Sequence, residues 1–219
     1  MELTPELPTT FNQENFHEIC DQLAEMDADL KSVLEKYGYP PMWTRPNTFE
    51  TLVHIILEQQ VSLASALAAL NKLREKTKTL TPETLLLLND EEMRACYVSR
   101  QKAAYLRGLA LSLQNGETDL TLFPSLPDEK VREKLIRLKG IGHWTIDVYF
   151  MFVLQRIDIF PLGDLAAING TKRLKNLPAA TKEEVLEITN HWKPFRTVAC
   201  MIIWHFYLSR TGVAAAPVF

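Results

Sequence analysis

A Gly-Ile-Gly turn, followed further along the chain by an aspartate after a Pro-Leu-Gly turn, is the most informative pattern in the chain. Gly140 and Gly142 bracket Ile141 between an amphipathic stretch and an apolar one. Glycine permits positive φ angles and the close approach of another molecule's backbone, and the start of the following helix would offer N–H groups to an anion such as a DNA phosphate. Asp164 then follows a Pro-Leu-Gly turn. A phosphate-binding hairpin and a placed carboxylate together predict a protein that holds DNA and does chemistry on it.

Four blocks of the sequence, in the right order, resemble the helix-hairpin-helix DNA glycosylases, and among these the alkylation-repair branch of the 3-methyladenine DNA glycosylase type. The family hairpin reads roughly Leu-x-Gly-Ile-Gly-x-Trp-Thr-Ala and is similar to residues 138–146. The catalytic loop reads Asp-x-Phe-Pro-x-Gly-Asp-Leu-Ala and is similar to residues 158–166. The other blocks are residues 55–62 and residues 192–197, the latter running on to Trp204.

The fold class follows from periodicity and from this resemblance. Apolar residues recur at helical spacing and no long stretch alternates like a strand, which predicts an all-α protein. The resemblance implies a two-lobed helical glycosylase fold that contains a helix-hairpin-helix motif, with the active-site cleft between the lobes. We expect a single unit over residues 1–219. Its approximate lobes are 45–125, a six-helix-barrel-like part, and 1–44 plus 126–219.

Helix starts and stops can be placed from local signals. One helix is predicted from Asn15 to Tyr37, ended by Gly38, and Pro194 is expected to begin the last helix, which runs to Leu208 before a loose tail. Capping residues are predicted to begin several others, namely Thr48, Ser62, Ser99 and Thr181, the last in a capping box with Glu184.

Composition narrows the function classes. The net charge of −3 opposes DNA binding, but the basic residues cluster in 94–110 and 130–139 while acids dominate 1–35, so a local basic surface remains compatible with it. Three widely spaced cysteines cannot form the four-cysteine cluster of the iron–sulfur relatives, and buried reduced thiols are expected. Without a membrane segment or signal-peptide pattern, the expectation is a cytosolic monomer, nucleoid-associated in a bacterium or nuclear in a eukaryote.

Asp164 carries the catalytic hypothesis. Cleavage of the bond between base and deoxyribose builds oxocarbenium-like positive charge on the sugar, which a nearby carboxylate stabilises. Alkylated purines are already cationic, so the leaving base needs little help from an acid. The residue's position in the catalytic loop of the resembled family implies this role. On spacing alone, a plain helix-capping aspartate is an equal alternative.

Three aromatic residues are candidates for the base pocket. Trp144 stands where bifunctional members of the superfamily place a lysine nucleophile, so hydrolysis without lyase chemistry is expected. The resemblance implies that Trp204 stacks near the flipped base, where its electron-rich face suits a cationic purine. Tyr149 lies one position from a pocket tyrosine of some relatives. For each of the three, a role in the apolar core is the alternative.

The remaining candidates concern DNA and ion binding. Gln60 matches the residue that fills the gap left by a flipped base in relatives, with Gln59 beside it, and helix capping is the alternative for both. The hairpin residues predicted to bind phosphate are Lys139, Gly140, Gly142, His143 and Thr145. The resemblance also implies a structural monovalent cation, Na⁺ or K⁺, on the backbone carbonyls of Ile136, Leu138 and Ile141. No cofactor is expected to be required.

The combined interpretation is a monofunctional DNA glycosylase that acts on alkylated purines, of the 3-methyladenine and 7-methylguanine type, in double-stranded DNA. Base flipping would leave an abasic site for base excision repair. Three alternatives stay open: a glycosylase for other damaged or mismatched bases, a non-catalytic helix-hairpin-helix DNA-binding protein, and a helical interaction domain. The last leaves the hairpin unexplained.

Overall fold

The protein is helical throughout the part that the computed structural model describes, residues 9–211, with side chains through residue 209. Within this range there is no β-strand, only an isolated bridge between Thr10 and Arg156, and the all-α prediction is confirmed. The α-helices of the described range are α1 (Phe16–Met26), α2 (Ala28–Tyr37), α3 (Phe49–Glu58), α4 (Leu63–Thr77), α5 (Pro82–Leu86), α6 (Asp90–Ala95), α7 (Arg100–Gln114), α8 (Asp128–Leu135), α9 (His143–Phe152), α10 (Leu165–Leu174), α11 (Lys182–Asn190) and α12 (Arg196–Thr211). None of them is long and apolar enough to cross a lipid bilayer.

Polar caps begin helices where the sequence predicts them. The side chains of Thr48, Ser62 and Ser99 each accept a hydrogen bond from the amide three residues further on, at 3.2 Å. These bonds satisfy N–H groups that have no partner inside the helix. Thr181 and Glu184 form the predicted capping box before α11. These caps set the first residues of α3, α4 and α7, three helices that carry residues of the candidate site.

The structure differs from the sequence predictions of local structure at several places. The helix predicted from Asn15 to Tyr37 is two helices, because Asp27 is extended and its side chain caps α2 by accepting from the amides of Asp29 and Leu30. The short helix α6 was not predicted, and the stretch before Pro127 contains a 3-10 helix, Leu120–Ser125. Helix α12 begins at Arg196 instead of Pro194 and continues to Thr211, and the rest of the predicted tail lies outside the described residues.

The break at Asp27 is held by a partly buried polar cluster. Lys175 Nζ donates to both carboxylate oxygens of Asp27 at 2.7 Å, and Trp192 Nε1 donates to Oδ2 at 2.7 Å. Burial opposes ionisation of Asp27, but the hydrogen bonds from Lys175 and Trp192 outweigh it and lower the pKa of the carboxyl group. The carboxylate therefore joins α2 to α10 and to the segment before α12.

We expect Asp27→Asn to lower the free energy of unfolding by about 1–2 kcal/mol at neutral pH, because the partly buried ammonium of Lys175 loses one of its two charged partners and keeps Asp29. Since the pKa of Asp27 is depressed in the folded state, its contribution is present above the unfolded pKa and is lost as the pH falls through the folded pKa. The wild-type advantage should therefore shrink in acid. Urea unfolding at several pH values measures this, with the exposed Asp21→Asn as the matched control. An equal loss for both variants would contradict it.

Residue contacts divide the chain into two units. Unit 1 contains the described residues up to Thr44 and from Phe150 onward, and α12 packs there on α1, α2 and α10. Unit 2 is Arg45–Tyr149, in which α3 packs on α4 and α7, and α7 on α5 and α6. Residues 126–149 thus group with 45–125 rather than with the chain ends, because the hairpin and the start of α9 bond to and pack on residues of unit 2. Asp164 lies in unit 1, and the hairpin lies in unit 2.

Candidate active site and DNA interface

Asp164 is held at the N-terminus of α10 in unit 1. The turn before it closes with a hydrogen bond from its amide to the carbonyl of Pro161, at 2.8 Å. Its Oδ1 accepts from the amide of Ala167 at 2.8 Å, which caps α10 as the sequence predicts, and also from the indole Nε1 of Trp204 at 3.2 Å. The side chain is only partly buried. The carboxyl group is therefore fixed in orientation and still accessible, which suits a group that stabilises positive charge.

Trp204 packs against two other aromatic rings and contacts Asp164. Its ring lies 6.3 Å from that of Trp43 and 5.6 Å from that of Phe152, centroid to centroid, and the residue is only 8% exposed. Little of the ring is therefore open to a stacked purine in this structure, and the stacking role stays a prediction. The observed function of its polar edge is to donate to Asp164. The structure therefore assigns Trp204 to the support of the carboxylate.

A buried cysteine of α12 lies near Asp164. Cys200, one helical turn before Trp204 on α12, is fully buried, and burial raises the pKa of its thiol well above the usual value, with the charge of Asp164 adding to the effect. Cys20 and Cys96 are likewise buried and free, so the prediction of buried thiols is confirmed. Within the described residues no cluster of His, Cys, Asp and Glu side chains could hold a metal ion.

The hairpin joins α8 to α9 in unit 2, and an ion pair ties the two helices together. Arg132 Nη2 donates to Asp147 Oδ1 at 2.9 Å. Burial raises the pKa of Asp147, and the hydrogen bond from Arg132 opposes that shift. Arg132 was counted among the basic residues available to DNA, but its guanidinium group is used inside the protein. Its role is to fix the angle between the hairpin helices.

The two hairpin glycines are needed for different reasons. Gly140 has a φ of +91°, and a Cβ at this position would collide with the ring of Tyr105. Gly142 precedes α9, accepts from the amide of Ile146 at 3.1 Å, and has open space where a Cβ would stand. Glycine at 140 is thus required by the fold itself. At Gly142 no described neighbour requires glycine.

The other predicted phosphate ligands also divide into exposed residues and a residue used within the protein. His143, the first residue of α9, and Lys139 are exposed, as the prediction requires. Thr145 is only 2% exposed, and its hydroxyl accepts a hydrogen bond from Gln59. The side chain of Thr145 therefore anchors the hairpin internally instead of facing a phosphate.

Gln59 and Gln60, at the corner between α3 and α4, have different surroundings. Gln59 Nε2 donates to the carbonyl of Gly140 at 2.8 Å and to Thr145 Oγ1 at 2.9 Å. Both amide hydrogens of Gln59 are thus engaged within the protein, and its predicted share in filling a DNA gap is replaced by an anchoring role. Gln60 is exposed and has a φ of +58°. The gap-filling hypothesis therefore rests on Gln60 alone.

The aromatic residues on α9 also differ from each other. Tyr149 is fully buried, with its ring in an edge contact with Phe123, and its hydroxyl donates to Asn47 Oδ1 at 2.6 Å. Burial raises the pKa of its phenol far above the usual range. It belongs to the core, which corrects its assignment to the base pocket. Trp144, the second residue of α9, is partly exposed, and its place in the pocket stays a prediction.

A model of the HhH-GPD superfamily, described as base excision DNA repair proteins, matches residues 53–194 of the chain. The protein belongs to this superfamily. The matched range includes the α3–α4 corner, the hairpin and Asp164, so the family assignment covers both parts of the site just described. The resemblance drawn from the four sequence blocks is thereby confirmed.

Individual members of the HhH-GPD superfamily are similar over nearly the whole chain. DNA-3-methyladenine glycosylase 1 of Schizosaccharomyces pombe is 30% identical over 212 residues, 91% of this chain and 89% of that protein. A crystal structure of a DNA-3-methyladenine glycosidase from Bacillus halodurans has a TM-score of 0.76 at 29% identity, covering 91% of this chain and 93% of its own. A 3-methyladenine DNA glycosylase of S. pombe in complex with abasic DNA has a TM-score of 0.79 at 28% identity, covering 91% and 98%.

This HhH-GPD protein also contains a buried ion pair that sequence reasoning missed. Arg45 donates to both carboxylate oxygens of Glu58, at 3.0 and 2.7 Å, and His54 Nε2 lies 3.5 Å from Glu58 Oε1. Burial lowers the pKa of His54, so its imidazole is neutral at neutral pH. The available signal was a histidine and a glutamate four residues apart in the apolar second half of α3, since a buried charge requires a partner. The pair fixes the last turn of α3, directly before the two glutamines.

The basic surface of this HhH-GPD protein is smaller than the residue count suggests. Arg107 pairs with Asp90 at 2.6 Å, and the ammonium group of Lys102 donates to two backbone carbonyls. Basic residues that are exposed and available to a phosphate backbone include Arg94, Arg100, Lys134, Arg137 and Lys139. Net charge alone therefore overstates the objection to DNA binding, while the raw count of lysines and arginines overstates the case for it.

Proposed function

We propose that the protein is a monofunctional DNA glycosylase that hydrolyses the N-glycosidic bond of alkylated purines in duplex DNA. The observation that carries the proposal is the carboxylate of Asp164, oriented by the amide of Ala167 and the indole of Trp204 and still accessible. A residue that only capped α10 would need no indole donor. The DNA-3-methyladenine glycosylase names of its relatives support the substrate class.

The chemistry requires little from the protein beyond charge and position. An alkylated purine leaves with the electron pair of its glycosidic bond and becomes neutral, while the sugar acquires positive charge at C1′. The Asp164 carboxylate stabilises that charge, and a water molecule adds to C1′ and loses a proton. The products are a free base and an abasic site. Duplex DNA would be held through the α9 N-terminus and Gly142, with Gln60 filling the gap left by the flipped nucleotide.

The hairpin carbonyls suit the monovalent cation implied by the family. Leu138 O already accepts the amide of Ile141, but a carbonyl oxygen has a second lone pair, and Ile136 is the residue directly after α8. Neutral carbonyl oxygens are ligands that Na⁺ and K⁺ accept. A bound ion would add positive charge where a phosphate approaches. The cation, and the monomeric state of the protein on DNA, are parts of the proposal.

The proposed hydrolysis predicts the product and excludes a covalent intermediate, because Trp144 stands where a lysine nucleophile would be required. Methylated duplex treated with the protein should contain intact abasic sites that break only after later treatment with alkali. Borohydride added during turnover should trap no protein–DNA adduct. A bifunctional glycosylase/lyase run alongside is the positive control for trapping. Efficient trapping, or strand breakage without alkali, would contradict the monofunctional mechanism.

A further inference from the structure

Lys102 makes an unusual pair of contacts at the end of α3. Its ammonium nitrogen lies 2.6 Å from the carbonyl oxygen of Leu57 and 2.8 Å from that of Gln59. The side chain is half-buried, and burial lowers the pKa of its amine. Carbonyls in the last turn of a helix have no partner inside the helix, and a cation there is favoured by the helix dipole. Lys102 therefore binds the backbone on the N-terminal side of Gln60.

Gln60 needs such support because of its backbone conformation. Its φ of +58° lies in the left-handed region, which non-glycine residues adopt at a cost and keep only where their surroundings impose it. The next fixed point along the chain is Ser62, whose hydroxyl caps α4. Between the carbonyl of Gln59 and the cap at Ser62, Gln60 and Val61 are exposed. The contacts that hold Gln59 and Ser62 therefore set the position of the Gln60 side chain.

The same corner is bound to the hairpin through a second, independent contact. The side chain of Gln59 donates to the carbonyl of Gly140 and to the hydroxyl of Thr145, which lies on α9. Gln59 is consequently held by its carbonyl, through Lys102 on α7, and by its amide, through the hairpin. Because these contacts lie within unit 2, they link the residue proposed to fill the DNA gap to the turn proposed to bind phosphate.

We infer that Lys102 is a positioning residue for Gln60: its ammonium group holds the α3–α4 corner in the conformation that presents the Gln60 side chain to DNA. This inference rests on the proposed function, since it assumes that Gln60 fills the gap in a flipped duplex. Without the ammonium group, the left-handed conformation loses one of its constraints and Gln60 samples other directions. Lys102 itself does not touch the DNA base or the reacting atoms.

The test compares Lys102→Met, which keeps most of the aliphatic stem, with Gln60→Ala and with the double variant. The readout is the ratio of affinities for a duplex containing a tetrahydrofuran abasic-site analogue and for the same undamaged duplex. We expect each single variant to lose about tenfold in this ratio, a part of the few kcal/mol at stake in base flipping. The double variant should lose no more than Gln60→Ala alone, because Lys102 acts through Gln60. Lys72→Met, at an exposed lysine of α4, should leave the ratio unchanged.

The cycle separates positioning from a general structural role. Losses that multiply, to about a hundredfold in the double variant, would show that Lys102 acts independently of Gln60 and would overturn the inference. An unchanged ratio in Lys102→Met would overturn it as well, while leaving the proposed function in place. A wild-type protein with no preference for the abasic duplex would remove the proposed function and the inference together. Lys102→Gln serves as a second variant, and if neither variant folds, the charge is a folding requirement and the inference is rejected.

Discussion

Replacing Asp164 with asparagine should abolish most of the excision activity while leaving DNA binding intact. Asparagine keeps a side-chain oxygen that can accept from the amide of Ala167 and the indole of Trp204, so the cap of α10 and the local fold should persist. It loses the negative charge that stabilises the oxocarbenium-like sugar. Loss of one oriented electrostatic group costs about 10²–10³-fold in rate. Single-turnover excision from methylated duplex measures this directly.

Asp119→Asn is the matched control for that experiment. Asp119 also caps a helix, the 3-10 helix that starts at Leu120, and it is exposed. It should excise at the wild-type rate. Affinity for undamaged duplex should stay within about twofold for both variants, since the loss of a carboxylate removes no phosphate contact. If Asp164→Asn excises alkylated bases at close to the wild-type rate, Asp164 is only a helix cap.

Gly142→Val should weaken binding to every duplex, damaged or not, by about 10- to 100-fold, the cost of losing charged hydrogen bonds to a phosphate. The β-branched side chain would stand where the backbone is expected to meet the DNA. The stability of the Gly142→Val protein should change little, because nothing lies within 4 Å of the position that a Cβ would occupy.

Gly140→Ala should lower stability instead of affecting DNA binding directly, since its Cβ collides with Tyr105 and its φ is positive. It should lower the free energy of unfolding by about 2–4 kcal/mol.

Fluorescence anisotropy with short duplexes and urea unfolding together distinguish these two failures. Gly108→Val, at an exposed glycine inside α7 with open space around it, is the control for the substitution itself. It should bind DNA normally. A folded Gly142→Val protein with wild-type affinity for duplex would show that the hairpin does not bind the phosphate.

Much of the local structure could be predicted from the sequence because its signals are local. Thr48, Ser62 and Ser99 are hydroxyl residues directly before apolar periodic stretches, and each caps the helix that follows. Asp164 was placed at the start of a helix by the turn that precedes it, and the structure has it there. Asp27 shows the limit. Asp27 caps α2 locally, but the residues that select this break within a continuous apolar periodicity, Lys175 and Trp192, lie far along the chain.

In the site, too, the features that depend on residues distant in the sequence could not be predicted. The exposure of Gln60 and the different needs of the two glycines become visible only when Tyr105 and the hairpin are in place. Trp204 and Tyr149 were both assigned to a base pocket by position in a motif. Sequence could not show that one is enclosed by Trp43 and Phe152 and the other bonded to Asn47 in the core. The sequence around an aromatic residue on a helix does not indicate which residues will pack against its ring.

The identity of the released base tests the central claim most directly. Duplex DNA methylated with dimethyl sulfate would be incubated with wild-type protein, with Asp164→Asn and without protein, and the released bases separated by chromatography. The proposed function predicts that methylated purines appear with the wild-type protein well above the protein-free background, and at background with Asp164→Asn. Release of no methylated purine above that background by well-folded wild-type protein that binds the duplex would contradict it.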